Sequence, residues 1–200
     1  MQLCRIENNR LCLLDQTLLP NEERWLSLCT ADEVAEAIKR LRVRGAPLIG
    51  IAAAMGLSVA VAHEVEQGHD LEQSRRRCYA ILLASRPTAV NLRWALDRMM
   101  QAAPTLEALR QEALAIQREE EATFARIAEH GAQLISPGMG ILTHCNAGCL
   151  ATGGDYGTAL APIYRAHEQG KQPRVYCDET RPLLQGARLT TYELQRAGID

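Results

Sequence analysis

The chain lacks an excess of either charge, an export leader, a paired-cysteine framework and an uninterrupted apolar span. Its 200 residues carry 22 Lys and Arg against 24 Asp and Glu, a net charge of -2, with no basic patch. Nucleic acid is therefore not an expected partner, because binding a phosphate backbone takes clustered cations. The start of the chain has Arg5 and Glu7 and no apolar run of the signal-peptide kind, so secretion is not expected. The longest apolar stretch, residues 46–62, is uncharged, but Pro47, Gly50 and Gly56 interrupt it. It also falls short of the ~20 residues of a comfortable membrane span, so it reads as a buried core helix with no membrane partner. Seven cysteines, an odd number at scattered spacing, form no disulfide pattern and read as free thiols in a reducing cytoplasm. There is no C-x-x-C pair for zinc, no Gly-Lys-Ser/Thr loop and no dinucleotide fingerprint, so no metal or nucleotide cofactor is expected. No internal repeat or low-complexity tract occurs.

What is present is 47% hydrophobic and 23% charged, the balance of a soluble globular domain, or of one domain and part of another. Residues 2–6 and 10–14 alternate around Asn8 and Asn9, which predicts a small hairpin, with residues 18–25 leading away from it. Thr30 and Glu33 form a capping-box pattern ahead of a helix to about Leu41. Gly45 breaks it, and Pro47 suits the first turn of the next helix, which carries the long apolar run. Asp70 opens another helix through Leu83, Pro87 interrupts, and helical periodicity resumes from Thr88. Thr105 starts a long amphipathic helix to about Glu129, ending at His130 and Gly131. From Met139 the pattern becomes strand, glycine-rich turn, helix and a second strand at Arg174–Cys177, the βαβ signature of a parallel sheet. The fold class is thus α/β, with a mainly helical first domain over residues 1–136 that carries a small β-hairpin. The first part of a Rossmann-like parallel-sheet domain follows over residues 137–200. The final residues look like the approach to a third strand, so this second domain reads as incomplete.

Residues 143–158, THCNAGCLATGGDYGT, place Cys145 at the carboxyl end of the first parallel strand, where α/β sheets hold ligands. A thiol there either acts as a thiolate, favoured by facing helix amides, or packs inertly as a small hydrophobe. His144 is its neighbour, but adjacent strand residues point to opposite faces, so a Cys–His hydrolase pair is disfavoured and the histidine reads as structural.

Four blocks carry a resemblance: VRGAPLIG at 43–50, SRPTAVNLRWALDRM at 85–99, ILTHCNAG at 141–148 with YGTAL at 156–160, and DETRPLLQGARLTTYEL at 178–194. They resemble the methylthioribose-1-phosphate isomerase family, aldose–ketose isomerases of methionine salvage, within an initiation-factor-2B-like group. The resemblance implies a sugar-phosphate substrate, no cofactor and no metal, a cytoplasmic homodimer, and Cys145 as the catalytic thiol. It further implies that Arg44 with the amides of Gly45 and Ala46, joined by Arg86, forms a phosphate clamp, and that Gln185 contacts the sugar. A turn entering a helix offers free N–H groups and a positive dipole end for such an anion. Without the resemblance, the favoured reading is Arg44 on a solvated helix end and Arg86 as a helix cap, since most arginines are simply exposed, with Gln185 as a turn residue before Gly186. Cys149 falls at a more variable place in the pattern, Cys177 has no assigned role, and Asp178, Glu179 and Arg181 either shape the pocket or pair together. The family's general-acid aspartate, in a glycine-alanine-aspartate-arginine segment, has no counterpart here, and Asp155, Asp178 and Asp200 do not match it. Two readings therefore stand beside the isomerase: a non-catalytic regulatory or assembly module of the initiation-factor branch, and a ribose-1,5-bisphosphate isomerase.

Overall fold

The computed structural model describes residues 3–200. Strands β1 (Cys4–Glu7) and β2 (Arg10–Leu14) form the expected antiparallel hairpin. Asn8 and Asn9 turn it with φ of 49° and 57°, the left-handed pair that matches strand twist in a two-residue loop. Residues 18–24 lead away from it, and a third strand that the sequence did not predict, β3 (Trp25–Leu28), follows, pairing Leu11 with Leu28 and Leu14 with Trp25. Its four residues alternate between exposed and half-buried, so it lies too near the surface to leave a strong apolar pattern.

Helix α1 (Ala31–Lys39) starts at the Thr30–Glu33 capping box, with the Glu33 amide donating to Thr30 Oγ1 and the Glu33 carboxylate accepting from the Thr30 amide. It stops two residues before the expected Leu41. Helix α2 (Ala46–Glu66) is the axis of the first core: fourteen of its residues, Leu48 through Val61, are buried. It is the one helix among the described residues long and apolar enough to cross a membrane, but 78% of that window is enclosed by the rest of the protein. Helices α3 (Leu71–Leu83), α4 (Val90–Gln101) and α5 (Leu106–Ala132) close around it, with side-chain caps at Asp70 and Thr105. Burying a Leu or Ile side chain contributes roughly 1.5–3 kcal/mol, so a helix apolar on every side is stable only when enclosed in this way.

The second half contains β4 (Gly140–His144), a short α6 (Cys149–Thr152), α7 (Ala161–Glu168) and β5 (Arg174–Asp178). β4 and β5 pair in parallel, Gly140 opposite Arg174 and His144 opposite Asp178, which bears out the βαβ reading. Beyond β5 a wide helical turn, Gly186–Thr190, runs into α8 (Thr191–Arg196). A second apolar core gathers Ala132, Leu160, Ile163 and Leu194. The long α5 serves both cores, since its first half packs on α2 and its end on α7. A third cluster of Leu3, Leu14, Leu19, Leu150 and Leu189 joins the two halves.

Candidate active site

β4 delivers the chain to Cys145, which leaves the strand with φ of 62°. Left-handed backbone on a residue with a side chain costs about 1–3 kcal/mol and persists only where neighbours over-determine it. Here they do. The Cys145 carbonyl accepts from Thr190 Oγ1 at 2.5 Å. Asn146, buried, accepts from both Nη atoms of Arg44, at 2.5 Å on its side-chain oxygen and 3.2 Å on its main-chain carbonyl. The Asn146 side-chain nitrogen donates to Thr190 Oγ1 at 3.3 Å and to the Glu193 carboxylate. Two segments far apart in sequence, Arg44 ahead of α2 and the stretch from Thr190 to Glu193 where the wide turn runs into α8, therefore grip a loop of two residues.

Beside this loop opens a cleft of about 710 Å³. Arg44, Gly45 and Ala46 at the head of α2, Arg86 ahead of α4, and Gln185 ahead of the wide turn all line it, so five of the six residues expected at the site share one wall. Cys145 is not on that wall; it meets the cleft through Arg44 and Asn146. Gly45 has φ of 91°, and a Cβ built on it would collide with the main chain of Ala151 in α6. Only glycine lets the head of α2 sit against α6, which sets the positive end of α2 beside the Cys145 loop. The first-turn amides of α2 have no intrahelical partner, the usual basis of an anion seat.

The arginines divide in role. Arg86 is half-buried and its guanidinium has no hydrogen bond or ion pair among the described residues, so it is available to a ligand. Arg44, expected in the clamp, lines the cleft with both Nη atoms engaged on Asn146. Burial pulls its guanidinium below the ordinary arginine value, offset in part by the Cys145 thiol and the Glu193 carboxyl nearby. Arg188, also on the wall, donates to the carbonyls of Gln16, Thr17, Leu19 and Leu183 and so fastens the segment after β2 to the wide turn. The Gln185 side-chain oxygen takes a hydrogen bond from Thr180, which leaves its amide nitrogen to turn to the cleft.

The other thiols behave differently. Burial, then the nearby Glu193 carboxyl, pushes Cys149 up to about 12, and its Sγ donates to the Asp155 carbonyl at 2.8 Å. Such a thiol stays protonated and inert near neutral pH. Burial likewise raises Cys177. His144 was expected to be structural; its side chain is 68% exposed, with Nδ1 3.8 Å from Asp178 on the neighbouring strand, because the end of β4 lies at the surface. Glu179 accepts from the amides of Gly186 and Ala187 and so caps the wide turn. Among the described residues no three His, Cys, Asp or Glu side chains converge as metal ligands.

Sequence reasoning did not single out Asn146 or Glu193, although both lie in the blocks that carry the resemblance. A glutamate in a short amphipathic helix looks like a solvated residue, and only tertiary structure shows that this one is 7% exposed. The one signal within reach was Gly148, whose missing side chain makes room for that carboxylate.

Comparison with known proteins gives concordant results. The description of the Initiation factor 2 subunit family matches residues 42–200. A methylthioribose-1-phosphate isomerase of Symbiobacterium thermophilum is 56% identical over 200 residues, covering 95% of this chain and 55% of the relative. A 5-deoxyribose 1-phosphate isomerase of Petrotoga mobilis is 54% identical, covering 96% of this chain and 58% of the relative. Among solved structures, translation initiation factor eIF-2B subunit delta from A. fulgidus superimposes with a TM-score of 0.89 at 37% identity, over 100% of this chain and 61% of that one. The chain thus spans a little over half the length of the curated relatives it matches.

Proposed function

Because this chain belongs to the Initiation factor 2 subunit family, we propose that it carries the phosphate seat and reactive thiol of an aldose–ketose isomerase that converts 5-methylthioribose 1-phosphate to 5-methylthioribulose 1-phosphate. The observation that carries the reading is the convergence of the α2 head, Arg86 and Gln185 on one cleft, joined to the Cys145 loop through Arg44. In this reading the phosphate lies against the Gly45 and Ala46 amides and the open guanidinium of Arg86, while Gln185 bonds a sugar hydroxyl. Arg44 directs its charge toward Cys145 rather than forming half of a symmetrical clamp.

The chemistry follows from the substrate. Carbon 1 bears the phosphate, so the ring oxygen must leave carbon 1 and take up a proton before isomerisation. One hydrogen then moves from carbon 2 to carbon 1, and the carbon 2 hydroxyl loses its proton to become the ketone. Cys145 manages the transfer as thiolate base or as stabiliser of the enediol. The ring-opening acid is assigned to none of Asp155, Asp178 and Asp200. We keep the division near Pro137 within this proposal, on the ground that one apolar core draws on residues 4–116 and another on residues 132–199. A cytoplasmic homodimer belongs to it as well; seven unpaired cysteines suit a reducing compartment, and light scattering reads the assembly.

The likeness to the initiation-factor subunit supports a second reading, a module that binds without turnover. Phosphorus NMR of 5-methylthioribose 1-phosphate mixed with the protein separates the two. Conversion to the ketose phosphate supports the isomerase over the binding module, a shifted but unconverted resonance supports the phosphate seat that both readings share, and an unperturbed spectrum overturns both.

A further inference from the structure

The buried carboxyl group of Glu193 has no part in the chemistry above, yet it lies directly beneath the Cys145 loop. One of its oxygens accepts from the Asn146 side-chain nitrogen; the other accepts from Tyr164 Oη at 3.2 Å and from the Leu150 amide, at the start of α6, at 3.4 Å. Space is kept for it: a Cβ on Gly148 would collide with this carboxylate. A carboxyl group held in the interior costs desolvation, and replacing buried polar groups by well-packed apolar ones is often neutral or stabilising, so stability alone gives no reason for it. Its leverage is on orientation. The Asn146 amide has donors from Arg44 on its oxygen and an acceptor from Glu193 on its nitrogen, so it has one allowed orientation.

We propose that Glu193 is a positioning residue for Cys145: by fixing the Asn146 amide it seats the Arg44 guanidinium beside the cysteine loop and holds Cys145 in its left-handed backbone. The inference rests on the reading of Cys145 as the reactive thiol. Burial raises the Glu193 carboxyl above its ordinary value, while the bonds from Asn146, Leu150 and Tyr164 favour the charged form. Without Glu193, Asn146 keeps only Thr190, at 3.3 Å, as an acceptor for its amide nitrogen, so the amide is held less firmly and the seat of Arg44 loosens.

Iodoacetamide labelling of the chain, read peptide by peptide by mass spectrometry, tests this with half-buried Cys29 as the reference thiol in the same sample. In Glu193→Ala and Asn146→Ala the Cys145 rate relative to Cys29 should fall several-fold to about tenfold, as the Arg44 guanidinium loses its fixed place beside the cysteine loop. Glu193→Gln keeps an acceptor for Asn146 and should restore most of it. Tyr164→Phe removes a bond on the other carboxylate oxygen; it should lower the melting temperature and leave the Cys145 rate in place, which a merely structural role of Glu193 does not predict. An unchanged or faster Cys145 rate in Asn146→Ala, or a Gln variant no better than Ala, overturns the proposal. Should Glu193→Ala fail to fold, Asn146→Ala and Glu193→Gln carry the test. No sugar phosphate enters the measurement, so its failure removes the positioning role alone, whereas an unperturbed phosphorus spectrum removes the sugar-phosphate reading alone.

Discussion

Two thiols four residues apart differ in what surrounds them, and in the proposed function that difference decides which one serves the chemistry. Cys145 is half-buried in left-handed backbone beside the Arg44–Asn146 pair, whereas Cys149 is buried and held high by burial and by Glu193. In the active protein Cys145→Ser should lower kcat by roughly 10²–10⁴-fold with little effect on substrate affinity, because a base or enediol stabiliser acts on the transition state. Cys149→Ser should leave kcat within a few-fold, and steady-state kinetics of the two variants side by side checks both; equal losses mean that the wrong thiol has been assigned. Cys145, Arg44, Gly45, Ala46, Arg86 and Gln185 stood out in the sequence through blocks that recur in the resembling family. Asn146 and Glu193 did not, because residue type and spacing do not report burial, and burial is what gives each its part. The engagement of Arg44 on Asn146 was hidden for the same reason, since its partner lies 102 residues away in the chain.

Helices with strong local punctuation were readable before any coordinates. Thr30, Asp70 and Thr105 each cap the helix expected of them, and α2 lies where its apolar run put it. The elements that escaped are short and shaped by contact: β3, the four-residue α6, the wide turn at Gly186–Thr190, and α8. The wide turn is fixed by Glu179 and by its own Arg188 reaching four carbonyls, and α8 by Tyr192 and Arg196 reaching Glu23, and no local propensity encodes that. The head of α2 is where element geometry and function meet most closely. Gly45→Ala would place a side chain at φ of 91° and against the Ala151 main chain, so α2 and α6 would have to separate. We expect a loss of more than about 1 kcal/mol in urea unfolding, beyond what a tolerated glycine replacement changes, together with weakened phosphate binding. Unaltered stability and binding would mean that the close packing of α2 on α6 is dispensable.

The two halves of the molecule are joined by polar ties as well as by the leucine cluster, and a buried ion pair within the first half gives it a pH dependence. Asp15, fully buried after β2, accepts from Thr17 and from Arg42 at 2.6 Å, and the Arg42 side chain also reaches Glu36. Although burial opposes it, hydrogen bonds from Thr17 and Arg42 hold the Asp15 carboxyl below its ordinary value of 3.8. The unfolded chain then binds the proton more readily than the folded one, so this contribution is present above pH 3.8 and is lost as the pH falls through the folded value. Asp15→Asn should therefore be less stable than the parent at pH 7, and the gap in urea midpoint should close below pH 3.8; a gap independent of pH would remove the linkage. The central claim, that the cleft beside α2 seats a sugar phosphate, is tested most directly by calorimetric titration of the chain with 5-methylthioribulose 1-phosphate. The parent should bind, Arg86→Lys should bind about tenfold or more weakly, because lysine keeps the charge without the planar fork, and inorganic phosphate should compete. Absence of binding by the parent, or equal affinity in Arg86→Lys, would contradict the account.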